Sequence, residues 1–127
     1  MIFKQEFDTK TSTYTYIIAS AKGREAAIID PVIENVELYI KILRELDLKL
    51  AKVIDTHIHA DHVTGASELK QVTNCTTLMG EHTPADTVEI KVKDGEIIDI
   101  DNLKIKSMYT PGHTSDSYSF LLDNYLF

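Results

Sequence analysis

Cysteine occurs once in these 127 residues, at Cys75, so no disulfide forms within the chain and a reducing compartment suits it. No cationic residue sits beside that thiol in sequence, the setting of a small buried hydrophobe and not of an activated nucleophile. Long apolar runs are missing too. None approaches the ~20 residues that cross a bilayer, and charge enters at once with Lys4 and Glu6, so no membrane partner or export signal is read and a cytoplasmic protein is expected. Basic residues are few, 13 against 20 acidic ones, and the formal net charge is -7. They are not clustered, which excludes a nucleic-acid partner, because a phosphate backbone demands grouped Lys and Arg. Repeats, low-complexity tracts and linkers are absent, and one domain over residues 1–127 is expected.

What is present is 43% hydrophobic and 26% charged content, the balance of a soluble globular domain that buries a core. Short β-branched and aromatic runs at residues 2–7, 13–19 and 26–30, separated by Asp8-Thr9-Lys10 and Lys22-Gly23-Arg24, predict three strands of an antiparallel meander. Val36, Tyr39, Ile40, Leu43 and Leu46 fall at the spacing of one helical face, with Asn35 as N-cap and Pro31 closing the strand before it. A buried strand over 51–55 leads straight into a histidine-rich segment. A second helix over about 65–72 follows, its N-terminal amides and dipole facing that segment and favouring a negative partner such as Asp61. Further strands are predicted at 76–79, 89–92, 96–100, 103–109 and 118–122, with turns at Asp94-Gly95 and Asp101-Asn102. Asp123-Asn124 reads as a hairpin turn into Tyr125-Leu126-Phe127, an apolar strand that stops after three residues, so the domain is expected to be incomplete at its C-terminus.

Five histidines occur in the chain, and three of them, His57, His59 and His62, lie within six residues with Asp61 among them. Packing does not account for such clustering. On an extended segment residues i and i+2 point to the same side, so His57 and His59 converge on one point, while a turn at Ala60 brings Asp61 and His62 to a neighbouring one. Imidazole and carboxylate suit zinc, iron, nickel and manganese, and a two-lobed cluster holds one metal or two. The second element is Thr110-Pro111-Gly112-His113-Thr114, again after a strand. Pro111 fixes φ and Gly112 permits a tight or positive-φ turn, so His113 is presented from a stiff backbone. His82 reads as a loop surface residue, Asp116 and Ser117 as groups that satisfy loop amides, and the six tyrosines as strand and helix-face aromatics with none assigned to a substrate.

The string His57-Ile58-His59-Ala60-Asp61-His62, followed about fifty residues later by Pro111-Gly112-His113-Thr114, resembles the metallo-β-lactamase superfamily. The resemblance spans the whole chain, including Ile29-Asp30-Pro31 and the Asp94-Gly95 turn. It implies an α/β (α+β) fold, the N-terminal part of an αββα sandwich with mostly antiparallel sheet and two helices, holding its metals at one edge. Within the superfamily the chain is most similar to the persulfide dioxygenases, which pair a Thr-His-x-His-Ala-Asp-His motif with strands like Thr13-Tyr14-Thr15-Tyr16 and the segment from Ala27 to Val32. Glyoxalase II, a near relative, carries a bulky aromatic or histidine where Ala60 stands and a second Gly-His where this chain has Asp116-Ser117.

The resemblance implies more about the site. In persulfide dioxygenases the positions matching His57 and His113 bind one ferrous iron together with the aspartate of a Thr-Gly-Asp motif, a facial set that leaves positions for O2 and a thiolate-like substrate. His59, Asp61 and His62 then support the iron or form a second site, whereas in dinuclear hydrolases they bind zinc directly. Fe(II) is therefore the implied cofactor, with one or two Zn as the alternative. No Thr-Gly-Asp occurs in the chain, and the family's later metal-binding histidine has no match. The implied activity, oxidation of a small-molecule thiol persulfide such as glutathione persulfide to sulfite with O2, is expected of the parent protein. The alternatives are a glyoxalase II-like zinc thioester hydrolase, in which a metal-bridging hydroxide attacks the carbonyl, and a catalytically incomplete metal-binding fragment that forms a homo-oligomer through its open sheet edge.

Overall fold

In a computed structural model that describes residues 1–58, 64–85 and 87–127, the predicted meander opens the chain. Strands β1 (Ile2–Asp8), β2 (Thr13–Ala19) and β3 (Glu25–Ile29) pair antiparallel, with Phe7 opposite Tyr14 and Tyr16 opposite Ile29. A 3-10 turn (Ile33–Asn35) leads into helix α1 (Val36–Glu45), whose buried face is Val36, Tyr39 and Leu43. Asn35 occupies the N-cap position without capping: its side-chain amide donates to the Asp8 carboxylate at 3.1 Å instead. Strand β4 (Lys49–Ile54), helix α2 (Ala66–Thr73), β5 (Thr76–Gly80) and β6 (Ile90–Val92) follow. The chain then runs through β7 (Ile97–Ile100), β8 (Leu103–Tyr109), β9 (Tyr118–Leu122) and β10 (Tyr125–Leu126).

Two sheets result, ordered β1-β2-β3-β4-β5-β6 and β10-β9-β8-β7. Among the described residues antiparallel pairing prevails, as expected, in five of the eight strand pairs. The pairs β3–β4, β4–β5 and β5–β6 are parallel, because a helix or a long connection carries the chain back to the starting edge, where a hairpin would have reversed it. All four strands β3 to β6 therefore end at one edge of the sheet. The β1–β2 turn lies at that edge too, since β2 runs antiparallel to β3.

Alternation along the strands assigns two cores. Ile18, Ala27, Ile29, Ile54 and Leu78 face the second sheet, meeting Ile100, Ile105, Tyr118 and Phe120. Ile17, Ala19, Ala26, Ile28 and Val53 face the helices, meeting Val36, Tyr39, Leu43 and Leu69. Leu50 and Val53 share the helix face although an odd spacing separates them, because the register shifts where Ala26 and Ala27 pair with Leu50 and Lys52. Tyr39, fully buried, takes its hydroxyl into this core already bonded to Thr15 Oγ1 (3.0 Å) and the Val32 amide (3.1 Å). Cys75 is buried there as expected, and burial pushes its thiol pKa up. The order of layers among the described residues is helices, sheet, sheet.

Gly80 of β5 lies directly against Tyr118 of β9 in the other sheet: a Cβ there would overlap the Tyr118 ring. Gly80→Ala is expected to lower the unfolding free energy by about 1–3 kcal/mol, read by chemical denaturation. In a Tyr118→Leu background the added cost should shrink; additive losses would show that the ring is not the obstacle.

Candidate metal centre

The first histidine is set by a carboxylate one strand away. Asp30, just after β3, adopts φ 55°, a left-handed conformation that aspartate tolerates better than most residues. Its amide donates to the Ile54 carbonyl (2.8 Å) and its carbonyl accepts from Thr15 Oγ1 (2.7 Å). One carboxylate oxygen accepts the Thr56 amide at 2.7 Å and the other accepts the Thr56 hydroxyl at 2.8 Å. Thr56 Oγ1 in turn lies 2.8 Å from His57 Nδ1. A threonine hydroxyl has one proton, and here it goes to the carboxylate, which can only accept. Nδ1 is therefore the donor to Thr56, and Nε2 carries the lone pair that a metal takes.

The second histidine loop is tied to the first by Asp116. This residue is 4% exposed, and its carboxylate accepts the Ile58 amide at 2.9 Å on one oxygen and the Thr114 hydroxyl at 2.6 Å on the other. Beside it the Tyr118 amide donates to the Thr56 carbonyl at 2.8 Å. Asp116 was expected to satisfy loop amides; that one of them belongs to a loop 58 residues away was not foreseen. Ser117 Oγ accepts the Thr114 amide at 3.2 Å, as expected, and the Ser117 carbonyl accepts the Thr110 amide at 3.0 Å. A left-handed glycine plays no part in this loop. Gly112 is absent from the positive-φ residues and a Cβ there would meet nothing within 4 Å, so the hydrogen bonds and Pro111 hold His113.

His57 and His113 come together. Their ring centres are 5.1 Å apart and their planes are perpendicular, at 89°. Two imidazoles that share a metal at nitrogen–metal distances of about 2.1 Å bring their ring centres to roughly this separation, so the pair fits one ion. His59, Asp61 and His62 lie outside the described residues. Among the described residues no three His, Cys, Asp or Glu side chains converge. His82 is exposed and stacks on Tyr109, centres 3.9 Å apart, in keeping with its reading as a surface residue.

Two cavities adjoin His57. The larger, about 630 Å³, is on the helix side, against Ser67, Lys70, Thr77 and Glu89. The smaller, about 450 Å³, is lined by both His57 and His113 and walled by Thr11, Tyr14, Tyr16 and Phe127, so the two candidate ligands meet here. Sequence reasoning missed this wall. Its only signal was the placement of the β1–β2 turn, which the pairing of β2 with β3 brings to the metal edge.

A family model described as "Metallo-beta-lactamase superfamily" matches residues 8–125. The mitochondrial persulfide dioxygenase ETHE1 of Bos taurus is 31% identical over 98% of this chain and 49% of its own length. A hydroxyacylglutathione hydrolase of Rhodopseudomonas palustris is 30% identical over 93% of this chain and 46% of its own. Among solved structures, ETHE1 from Myxococcus xanthus superposes with a TM-score of 0.95 at 41% identity, covering all of this chain and 56% of that one. The chain spans about half the length of the curated relatives it matches.

Asp116→Ala leaves the part-buried Ile58 amide without its acceptor, while the Thr114 hydroxyl keeps Ser117 Oγ, and should cost about 1–2 kcal/mol of stability, whereas Asp116→Asn, which keeps one acceptor, should lose less. Equal losses in denaturation would contradict the bridge. Thr56→Val should weaken metal binding about 10–100-fold, more than Thr56→Ser, which keeps the hydroxyl; competition with a chromophoric chelator measures it.

Proposed function

The chain belongs to the metallo-β-lactamase superfamily, and from that premise we propose that the protein oxidises a small thiol persulfide, glutathione persulfide foremost, to sulfite with O2 at one ferrous iron. The observation that carries the reading is the perpendicular His57–His113 pair, with Nδ1 of His57 already engaged by Thr56, in a chain similar throughout to persulfide dioxygenases. Two neutral imidazoles and one carboxylate make the facial set of oxygen-activating iron proteins. The carboxylate of that set is not assigned to a residue of this chain.

When bound, ferrous iron supplies the electron transfers through which O2 reacts with sulfur. The reaction balances as persulfide, O2 and water giving thiol, sulfite and two protons: the sulfur–sulfur bond breaks and four electrons pass to O2. This chain's part is to hold and orient. Asp30 and Thr56 fix the tautomer of His57, and Asp116 fixes the separation of the two histidine loops. The wall of β2 closes one side of the cavity, which limits the water that reaches the reacting sulfur.

Similarity to hydroxyacylglutathione hydrolases supports a second reading, a two-zinc thioester hydrolase that needs His57, His59, Asp61, His62 and His113 as ligands. Ala60 and the Asp116-Ser117 pair argue against it, as departures from the glyoxalase II pattern. Full-length protein purified anaerobically with iron should consume one O2 for each sulfite formed from glutathione persulfide. No uptake, together with zinc-dependent thioester hydrolysis, would overturn the proposal in favour of the second reading.

A further inference from the structure

We propose that Tyr16 is a substrate-positioning residue whose phenol donates a hydrogen bond to the sulfur-bearing end of a thiolate or persulfide lodged between His57 and His113. The inference rests on the reading of the substrate as a thiol persulfide and adds to it the residue that receives the sulfur.

Tyr16 lies opposite Ile29 in the β2–β3 ladder, one residue short of Asp30, and lines the same 450 Å³ cavity as Asp30, His57 and His113. Its ring is held on two sides, by Phe127 at 4.8 Å and Phe3 at 5.7 Å between centres. Such a ring presents its hydroxyl from a nearly fixed position, since only two torsions orient a tyrosine side chain.

Two tyrosine hydroxyls, those of Tyr39 and Tyr109, are engaged within the protein, while that of Tyr118 is buried away from the cavity of His57 and His113 without a hydrogen bond among the described residues. That of Tyr39 bonds Thr15 and the Val32 amide, and that of Tyr109 donates to the Ser115 carbonyl. Among the described residues Tyr16 has ring contacts and no hydrogen bond for its hydroxyl. A phenylalanine would serve a purely packing role at a half-buried position beside Phe3 and Phe127. The hydroxyl gains its full worth only when a ligand supplies the acceptor.

An anionic sulfur is the acceptor this position suits. Burial, then the neighbouring Tyr14 and Asp30, push the Tyr16 phenol pKa up, so it stays a protonated donor through neutral pH, and a donor facing an anion makes the stronger class of hydrogen bond. Asp30 directs its carboxylate to Thr56, one oxygen to the amide and the other to the hydroxyl.

The test is Tyr16→Phe in the full-length, iron-loaded protein, with glutathione as the binding probe in anaerobic calorimetry and glutathione persulfide as the substrate. Expected are a Kd for glutathione and a KM for the persulfide each raised about tenfold, with a smaller change in kcat and with iron content and thermal midpoint as in the wild type. An unchanged Kd in a wild-type background that does oxidise persulfide would overturn this proposal alone. Loss of iron or a lowered midpoint accounting for the weaker binding would also overturn it, since Tyr16 would then be structural. A wild type that binds glutathione and loses affinity on Tyr16→Phe, yet consumes no O2, would sink the dioxygenase reading and leave Tyr16 as a thiolate-binding residue.

Discussion

The Asp116 carboxylate is the constraint on which the site depends. It stands just before β9 in one sheet and accepts the Ile58 amide just beyond β4 in the other. Two sheets stacked through apolar side chains are free to slide by fractions of an ångström at little cost, because dispersion and hydrophobic contact have no direction. A buried carboxylate with a donor on each oxygen is directional. It converts sheet packing into a fixed spacing between His57 and His113, and the Tyr118 amide on the Thr56 carbonyl repeats the tie on the backbone. The sheet stacking and the metal edge are thus one structural problem, solved where the histidines leave their strands.

A second carboxylate acts on orientation instead of spacing. Asp30 holds Thr56 by both amide and hydroxyl, and through that hydroxyl it determines which nitrogen of His57 faces the cavity with a lone pair. The parallel arrangement of β3 and β4 makes this possible, since it ends both strands at the same edge. Ligand sites of open parallel sheets gather beyond the carboxyl ends of the strands for the same reason.

Much of this was legible in the sequence, and what was not has a common cause. The β-branched runs gave the limits of β2, β8 and β9 as observed, and the helical spacing of Val36, Tyr39 and Leu43 found α1. The histidine motif named His57 and His113, and the two do meet. Periodicity is local, however. It could not report that β3 to β6 run parallel, which depends on where the crossovers return the chain. Nor could it pair Asp30 with Thr56 across 26 residues or Asp116 with Ile58 across 58. At Gly112 the sequence allowed a tight or a positive-φ turn, and the loop takes no positive φ there; Thr110, Thr114 and Ser117 hold it through hydrogen bonds.

The central claim is that the two histidine loops present His57 and His113 to a single metal ion. X-ray absorption at the iron edge of the full-length, iron-loaded protein tests it most directly. The account predicts the multiple-scattering signature of two imidazoles and no metal–metal vector. A second metal at about 3.5–4 Å, or a first shell without two imidazoles, would contradict it.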